Sequence, residues 1–198
     1  MQLIHKALVC VILVTHVPTC WGEASIDKTE GMTLNDTITH NSDADSQQAS
    51  QAVIAFLYWY KTHMQAVNRY PLVNQPDGKP YSVNLKNGER YLAYLKNSHL
   101  LSDAYLSQWR TYFKERNEGF RLSPQDEGPP DGFEYDLVML TQDVDKQLAA
   151  LKSLKINRTK VVKDRATVAL TLLGTYEFQL VRQNNHWLIN EILNIGEE

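Results

Sequence analysis

Ser50-Gln-Ala-Val-Ile-Ala-Phe-Leu-Tyr-Trp-Tyr-Lys-Thr-His-Met-Gln-Ala-Val-Asn-Arg-Tyr70 is the stretch on which the fold turns. Within it, Val53, Phe56, Leu57, Tyr60, Met64 and Val67 recur at steps of three and four residues. That spacing lines them up along one face of an α-helix. Asp45 or Ser46 is placed to cap the helix, because a short side chain with an oxygen can accept from a free first-turn amide. Tyr70-Pro71 marks its end, since the residue before a proline avoids the helical region. An apolar stripe of this length needs cover from elsewhere in the chain.

The last third supplies the candidate cover. Ser153 to Val162, Ala166 to Leu173, Tyr176 to Arg182 and Trp187 to Ile195 are rich in β-branched and aromatic residues. Lys163-Asp164-Arg165, Gly174-Thr175 and Gln183-Asn184-Asn185-His186 separate them. Connections so short join antiparallel strands, and Asn184-Asn185 tolerate the left-handed turn conformation. Tyr176, Phe178 and Leu180 alternate with Glu177 and Gln179, which gives one buried and one wetter face. Helices first and a meander last predict an α+β fold, with N-terminal helices packed on a curved antiparallel sheet.

Between these parts, Leu72 to Lys86 carries Pro76, Asp77-Gly78 and Pro80 and reads as a long connection with a tight turn. Tyr81 to Leu85 is a short extended piece within it. Gly88 to Lys96 is expected to be a helix with Tyr91, Leu92 and Leu95 inward. Ser102 caps a second helix, and Asp103 sits where the helix dipole favours an acid. Tyr105, Leu106, Trp109, Tyr112 and Phe113 form its buried stripe, and Gly119 is the expected stop. Leu122 to Phe133 is a loop with a Pro130-Asp131-Gly132 turn. Tyr135 to Leu140 fits helix and strand equally.

The N-terminus reads as a targeting signal over residues 1–22. Lys6 precedes the apolar run Ala7 to Val14, which is too short to span a bilayer. Cleavage after Gly22 or Ala24 fits the small-residue rule; the alternative is a lipoprotein acylated at Cys20, with Val17 in the matching position. Cys10 and Cys20 both lie in this signal, so the folded part has no thiol to form a disulfide, attack a substrate or bind zinc. Residues 23–48 are polar and read as a disordered spacer, which leaves residues 49–196 as a single α+β domain. The formal charge is −3 and no basic run exists, which argues against a nucleic-acid partner. Contact with a membrane is expected only through a lipid anchor.

Phe56-Leu-Tyr-Trp-Tyr60, Asp136 to Gln142-Asp143, Val162 to Leu170 and His186-Trp-Leu-Ile-Asn-Glu-Ile192 occur in an order that resembles a family of secreted bacterial domains of unknown function (DUF 3828 type). The resemblance covers Gln51 to Leu193. It implies a nuclear-transport-factor-like or cystatin-like fold, a cone-shaped sheet wrapped around the long helix. It brings no activity with it.

The open end of such a cone is the expected pocket. Asp136, Gln142 and Asp143 are the most reactive-looking group near it, and Trp59, Tyr60 and Tyr135 are candidates to line it. A carboxylate in such a place can have a raised pKa and act as a general base. The plainer alternative is that Asp136 caps a turn and Gln142 satisfies a backbone group. Tyr58, Trp59 and Tyr60 span more than one helix face, so at least one leaves the core stripe, and the connection at 72–86 is expected to cover it. His40, His63, His99 and His186 do not stand at metal-ligand spacing, so no metal and no cofactor are expected. No Gly-x-Ser-x-Gly elbow or phosphate-binding glycine loop appears. These readings predict a periplasmic or secreted binding domain without enzymatic activity. Its partner would be an envelope protein or a small ligand, as for an inhibitor or immunity-like protein. The alternative is a small hydrolase or isomerase using an acid in the cone.

Overall fold

The computed structural model describes residues 34–75 and 78–196, with side chains from residue 43 onward. The expected signal at 1–22, with the lipidation candidate Cys20, lies outside the described residues. In chain order the elements are helix α1 (Leu34–Val67), strands β1 (Val73–Asn74) and β2 (Ser82–Val83), helices α2 (Leu85–Lys96), α3 (Asp103–Leu122) and α4 (Val144–Ala149), and strands β3 (Lys155–Val162), β4 (Arg165–Thr171), β5 (Thr175–Gln183) and β6 (His186–Gly196). β3 to β6 form one antiparallel sheet in sequence order, and β1 and β2 form a separate two-stranded ribbon. The fold is α+β, with helices packed against a four-stranded antiparallel meander, and the sequence pattern anticipated this.

The stripe of α1 makes this arrangement necessary. Val53, Phe56, Leu57, Tyr60 and Val67 are fully buried, and Met64 packs against the same core. They meet Val168, Leu170, Tyr176, Phe178, Leu180 and Ile189 from the inner face of the sheet. The alternation of β4 and β5 puts every second residue inward, as a one-sided sheet requires. Register breaks at Asn157 in β3 and near Asn190 in β6, and such bulges bend the strands that carry them.

Three sequence expectations need correction. First, α1 begins at Leu34, so residues 34–48 of the expected disordered spacer are helical, and the spacer's remainder lies outside the described residues. Asp45 and Ser46 lie inside the helix and do not cap it. The reason is tertiary: Asp45 pairs with Arg182 at 2.5 Å, the Arg182 guanidinium stacks 4.5 Å from the centre of the Trp187 ring, and Ala49 is fully buried. Ser50 Oγ, 2.7 Å from Thr159 Oγ1, ties the next turn to β3. Second, α3 runs through Gly119 to Leu122. Phe120 is buried between the Tyr81 and Phe133 rings, and that burial outweighs the cost of one helical glycine, about 1 kcal/mol. Third, α1 ends at Val67, a few residues before Pro71.

Other local expectations hold. Ser102 caps α3, its Oγ accepting from the Tyr105 amide at 3.0 Å. The same residue knits helix to sheet: its amide donates to Ile189 O (2.9 Å), and its hydroxyl donates to Asn190 Oδ1 (3.0 Å). Leu101 and Ile189 form an isolated parallel bridge beside it. In α2, Tyr91, Leu92 and Leu95 are buried, as their spacing predicts.

Gly88 lets α2 and α3 approach closely. A Cβ there would stand 2.9 Å from Phe113 Cδ2, whose ring is fixed among Tyr91, Trp109 and Phe133. Gly88→Ala should therefore lower unfolding free energy by roughly 1–3 kcal/mol through overpacking, against the ~1 kcal/mol that alanine brings to a helix. Urea denaturation of the two proteins measures the sign, and a stabilised variant would show that the helices can part freely.

Candidate functional site

A recess among the described residues has a volume of about 710 Å³. It opens where the C-terminal end of α1 meets the Pro71–Val73 segment, α2 and the loop before α4. Tyr70, Leu72, Tyr91, Phe133, Tyr135 and Asp136 form much of its wall, and Gln142 stands at its rim. The sequence-derived candidates Tyr135, Asp136 and Gln142 are thus brought together. Trp59 and Asp143 stand apart from this recess. Trp59 stacks on His63, 4.5 Å between ring centres, and leans on Tyr94 of α2. So α2, and not the connection at 72–86, covers the extra aromatic of α1, while Tyr58 stays largely exposed. Asp143 is exposed and pairs with Lys146 at 2.8 Å, one turn on.

Asp136 is built into the backbone of its own loop. Its Oδ1 accepts from the amides of Val138 (3.0 Å) and Met139 (2.7 Å). Its Oδ2 accepts from the Tyr60 hydroxyl at 2.6 Å. A backbone bridge from the Asp136 amide to Thr141 O closes the loop, and Leu140 takes a positive φ of 51° at the bend. Leu137, Val138 and Met139 are buried as a plug. This explains why Tyr135 to Leu140, which fits helix and strand equally as a sequence, forms neither. An aspartate that bonds the amides two and three residues ahead offers the backbone a third option.

The electrostatics follow from burial. Desolvation pushes the Asp136 carboxyl above its ordinary value, and the Tyr60 hydroxyl and the two amides pull it partly back. Desolvation, with the charge of Asp136 and its neighbouring phenols, raises the Tyr60, Tyr91 and Tyr105 hydroxyls, so all three stay neutral at physiological pH. Tyr91 lies beside Tyr60 and Asp136, and the charge of Asp136 acts on the Tyr91 hydroxyl as well. Sequence reasoning named Tyr60 and Asp136 but not their bond, and it missed Tyr91 as a site residue. Tyr91 reads as core from its spacing, and nothing in a one-dimensional pattern distinguishes a buried phenol from a buried phenyl ring.

Chemically, both oxygens of Asp136 already accept hydrogen bonds, three in all, which hold the carboxylate to its own loop and to Tyr60. The recess lining holds no histidine or serine beside Asp136, and the second carboxylate there, Glu134, is exposed. Among the described residues no group of three or more His, Cys, Asp or Glu side chains could hold a metal ion. No described helix is long and apolar enough to cross a membrane.

No family model matches the chain. No curated protein matches it. Among solved structures, the chain is similar to one in the crystal structure of the type VI effector–immunity complex Tae3–Tai3 from Ralstonia pickettii. The identity is 17%, the TM-score is 0.39, and the match covers 75% of this chain and 97% of that one. A likeness so distant assigns neither a family nor a role.

Two measurements follow. Tyr60→Phe removes the donor that lowers the Asp136 pKa, so the carboxyl should titrate still higher in the variant, followed by carbon-detected NMR. The lost bond should cost roughly 1–2 kcal/mol of stability. The pH dependence has a definite sign. Because the folded state holds Asp136 above its unfolded value of about 3.9, its titration contributes stability that is full below that value. The contribution fades as pH rises through the folded value. The stability of the protein minus that of Asp136→Asn should therefore fall across that window and then level off; a difference that rises with pH would contradict the burial argument.

Proposed function

We propose that this protein is a binding domain of the cell envelope, without enzymatic activity, that receives a segment of a partner protein in the recess beside Asp136. The observation that supports this reading is the state of Asp136 itself. The one buried acid of the recess is spent on holding its walls together, through three hydrogen bonds to Tyr60, Val138 and Met139. A general base needs a lone pair aimed at the proton it takes, and three of the roughly four acceptor positions of this carboxylate are already filled by Tyr60 and its own loop. The remaining lining mixes rings and prolines (Tyr70, Pro71, Pro130, Phe133, Tyr135) with amides (Asn68, Gln142). Apolar rings edged by hydrogen-bonding groups match the make-up of protein interfaces more closely than that of a catalytic centre. A periplasmic or secreted location, from the expected signal, belongs to the same proposal. So do membership of the family that the sequence resembles and an inhibitor or immunity-like role against a toxin or hydrolase.

The test is capture of partners from an envelope extract by the purified protein and by a recess-blocked form. Tyr135→Arg, at a half-buried wall position, should leave the thermal midpoint within a few degrees while abolishing capture. Equal capture by both forms would remove the recess from the reading. If the captured protein is a hydrolase, its activity should drop on adding the wild-type domain and not on adding the variant. Turnover of a small substrate that disappears in Asp136→Asn, with the fold intact, would instead establish the hydrolase or isomerase alternative.

A further inference from the structure

The helices occupy one face of the four-stranded sheet, and the other face has its own pattern. The register aligns its residues in rows across β3, β4, β5 and β6. One row reads Lys160, Thr167, Gln179, Glu191. The row above reads Arg158, Ala169, Glu177, Leu193, and the row below Val162, Arg165, Val181, Leu188. Arg158 and Lys160 stand on the β3 edge and Arg165 on β4, while the acids Glu177 and Glu191 stand on β5 and β6, Glu191 lining a recess with Trp109 and Leu140. Lys160 and Glu191 are three strand spacings apart, roughly 14 Å, too far to meet within one molecule. Among the described residues neither they nor Arg158 form an ion pair. Between the charges lie small or branched side chains, Thr167, Ala169 and Val181, partly exposed, and Val162 at the edge is 56% exposed.

The geometry points to a second copy of this chain as the occupant of that face. A half-turn about an axis running along the strands lays β3 of one copy over β6 of the other with the rows in register. Lys160 then faces Glu191 of the second copy, and by symmetry the reverse pair forms as well. Val162 meets Leu188, and Arg158 comes down beside Leu193 with Glu177 one strand over. The other face-to-face two-fold axis, running across the strands, would set Lys160 on Lys160 and Glu191 on Glu191. Like charges placed opposite are destabilising, so the charge pattern selects the first axis alone. Two sheets packed in this way keep their strands nearly aligned. The face is small, roughly 15–20 Å on a side from its strand spacing and rise, or about 450–800 Å² over two copies, below the size of a standard specific interface. The association is therefore weak, reversible and sensitive to salt. It leaves the recess beside Asp136 unoccupied, and it stands or falls separately from the function proposed for that recess.

Sedimentation equilibrium of the purified protein over rising concentration tests this. The expected result is a monomer–dimer equilibrium that shifts toward monomer as salt is added. Lys160→Glu alone and Glu191→Lys alone should each weaken the dimer at least about tenfold, since each sets two like-charge pairs in the interface. An equimolar mixture of the two variants should associate again, because the mixed dimer restores both opposite-charge pairs. The double variant should associate as the wild type does. The recovery in the mixture also excludes misfolding as the cause of the single-variant loss. A protein that stays monomeric throughout would overturn the inference, as would a dimer that Lys160→Glu leaves unchanged.

Discussion

The structure depends on keeping one face of α1 out of water. Val53, Phe56, Leu57 and Tyr60 are fully buried, and exposing side chains of this size costs about 1.5–3 kcal/mol each. A single helix cannot shield its own stripe, so the chain must bring a surface of matching width to it. The meander β3 to β6 does so with alternating inward residues, and the rest of the molecule closes the ends of that contact. Ser102 ties the start of α3 to β6. Gln147, buried at the start of the final third, accepts from the Leu173 and Gly174 amides and so fastens α4 to the β4–β5 turn.

The Tyr60–Asp136 bond shows how this core determines the candidate site. Tyr60 is part of the stripe, so its ring must be inside, and its hydroxyl must then find an acceptor there. Asp136 supplies it and is buried in turn. Burial raises its pKa, yet the same bonds that make burial tolerable occupy both of its oxygens. A carboxylate with a shifted pKa in a recess is a common mark of catalysis. Here the geometry gives the shift a structural origin in the burial that the bonds from Tyr60, Val138 and Met139 make tolerable.

The outer sheet face follows a different logic. Its residues are not needed for the core, so their pattern is free to serve contact with another molecule. Arg158 and Lys160 on β3 stand two and three strand spacings from Glu177 on β5 and Glu191 on β6, and among the described residues no ion pair joins them within the molecule.

Sequence by itself determined the parts whose causes are local. The 3.6-residue period marked α1, the period of two marked the strands, and short polar turns set their antiparallel order. Ser102 was legible as a cap because an N-cap needs only its own neighbours. What the sequence could not express were partnerships between distant positions. Asp45 looked like a cap or a spacer residue because Arg182 lies far along the chain, and their ion pair is what keeps the early part of α1 attached. Gly119 looked like a stop because the rings that hold Phe120 come from other segments. Asp136, Gln142 and Asp143 looked equivalent in sequence; only the tertiary structure buried the first, set the second at the rim and left the third in water. The physical reason is that a side chain's solvation and hydrogen-bond partners belong to its three-dimensional surroundings, whereas periodicity and capping are properties of a few consecutive residues.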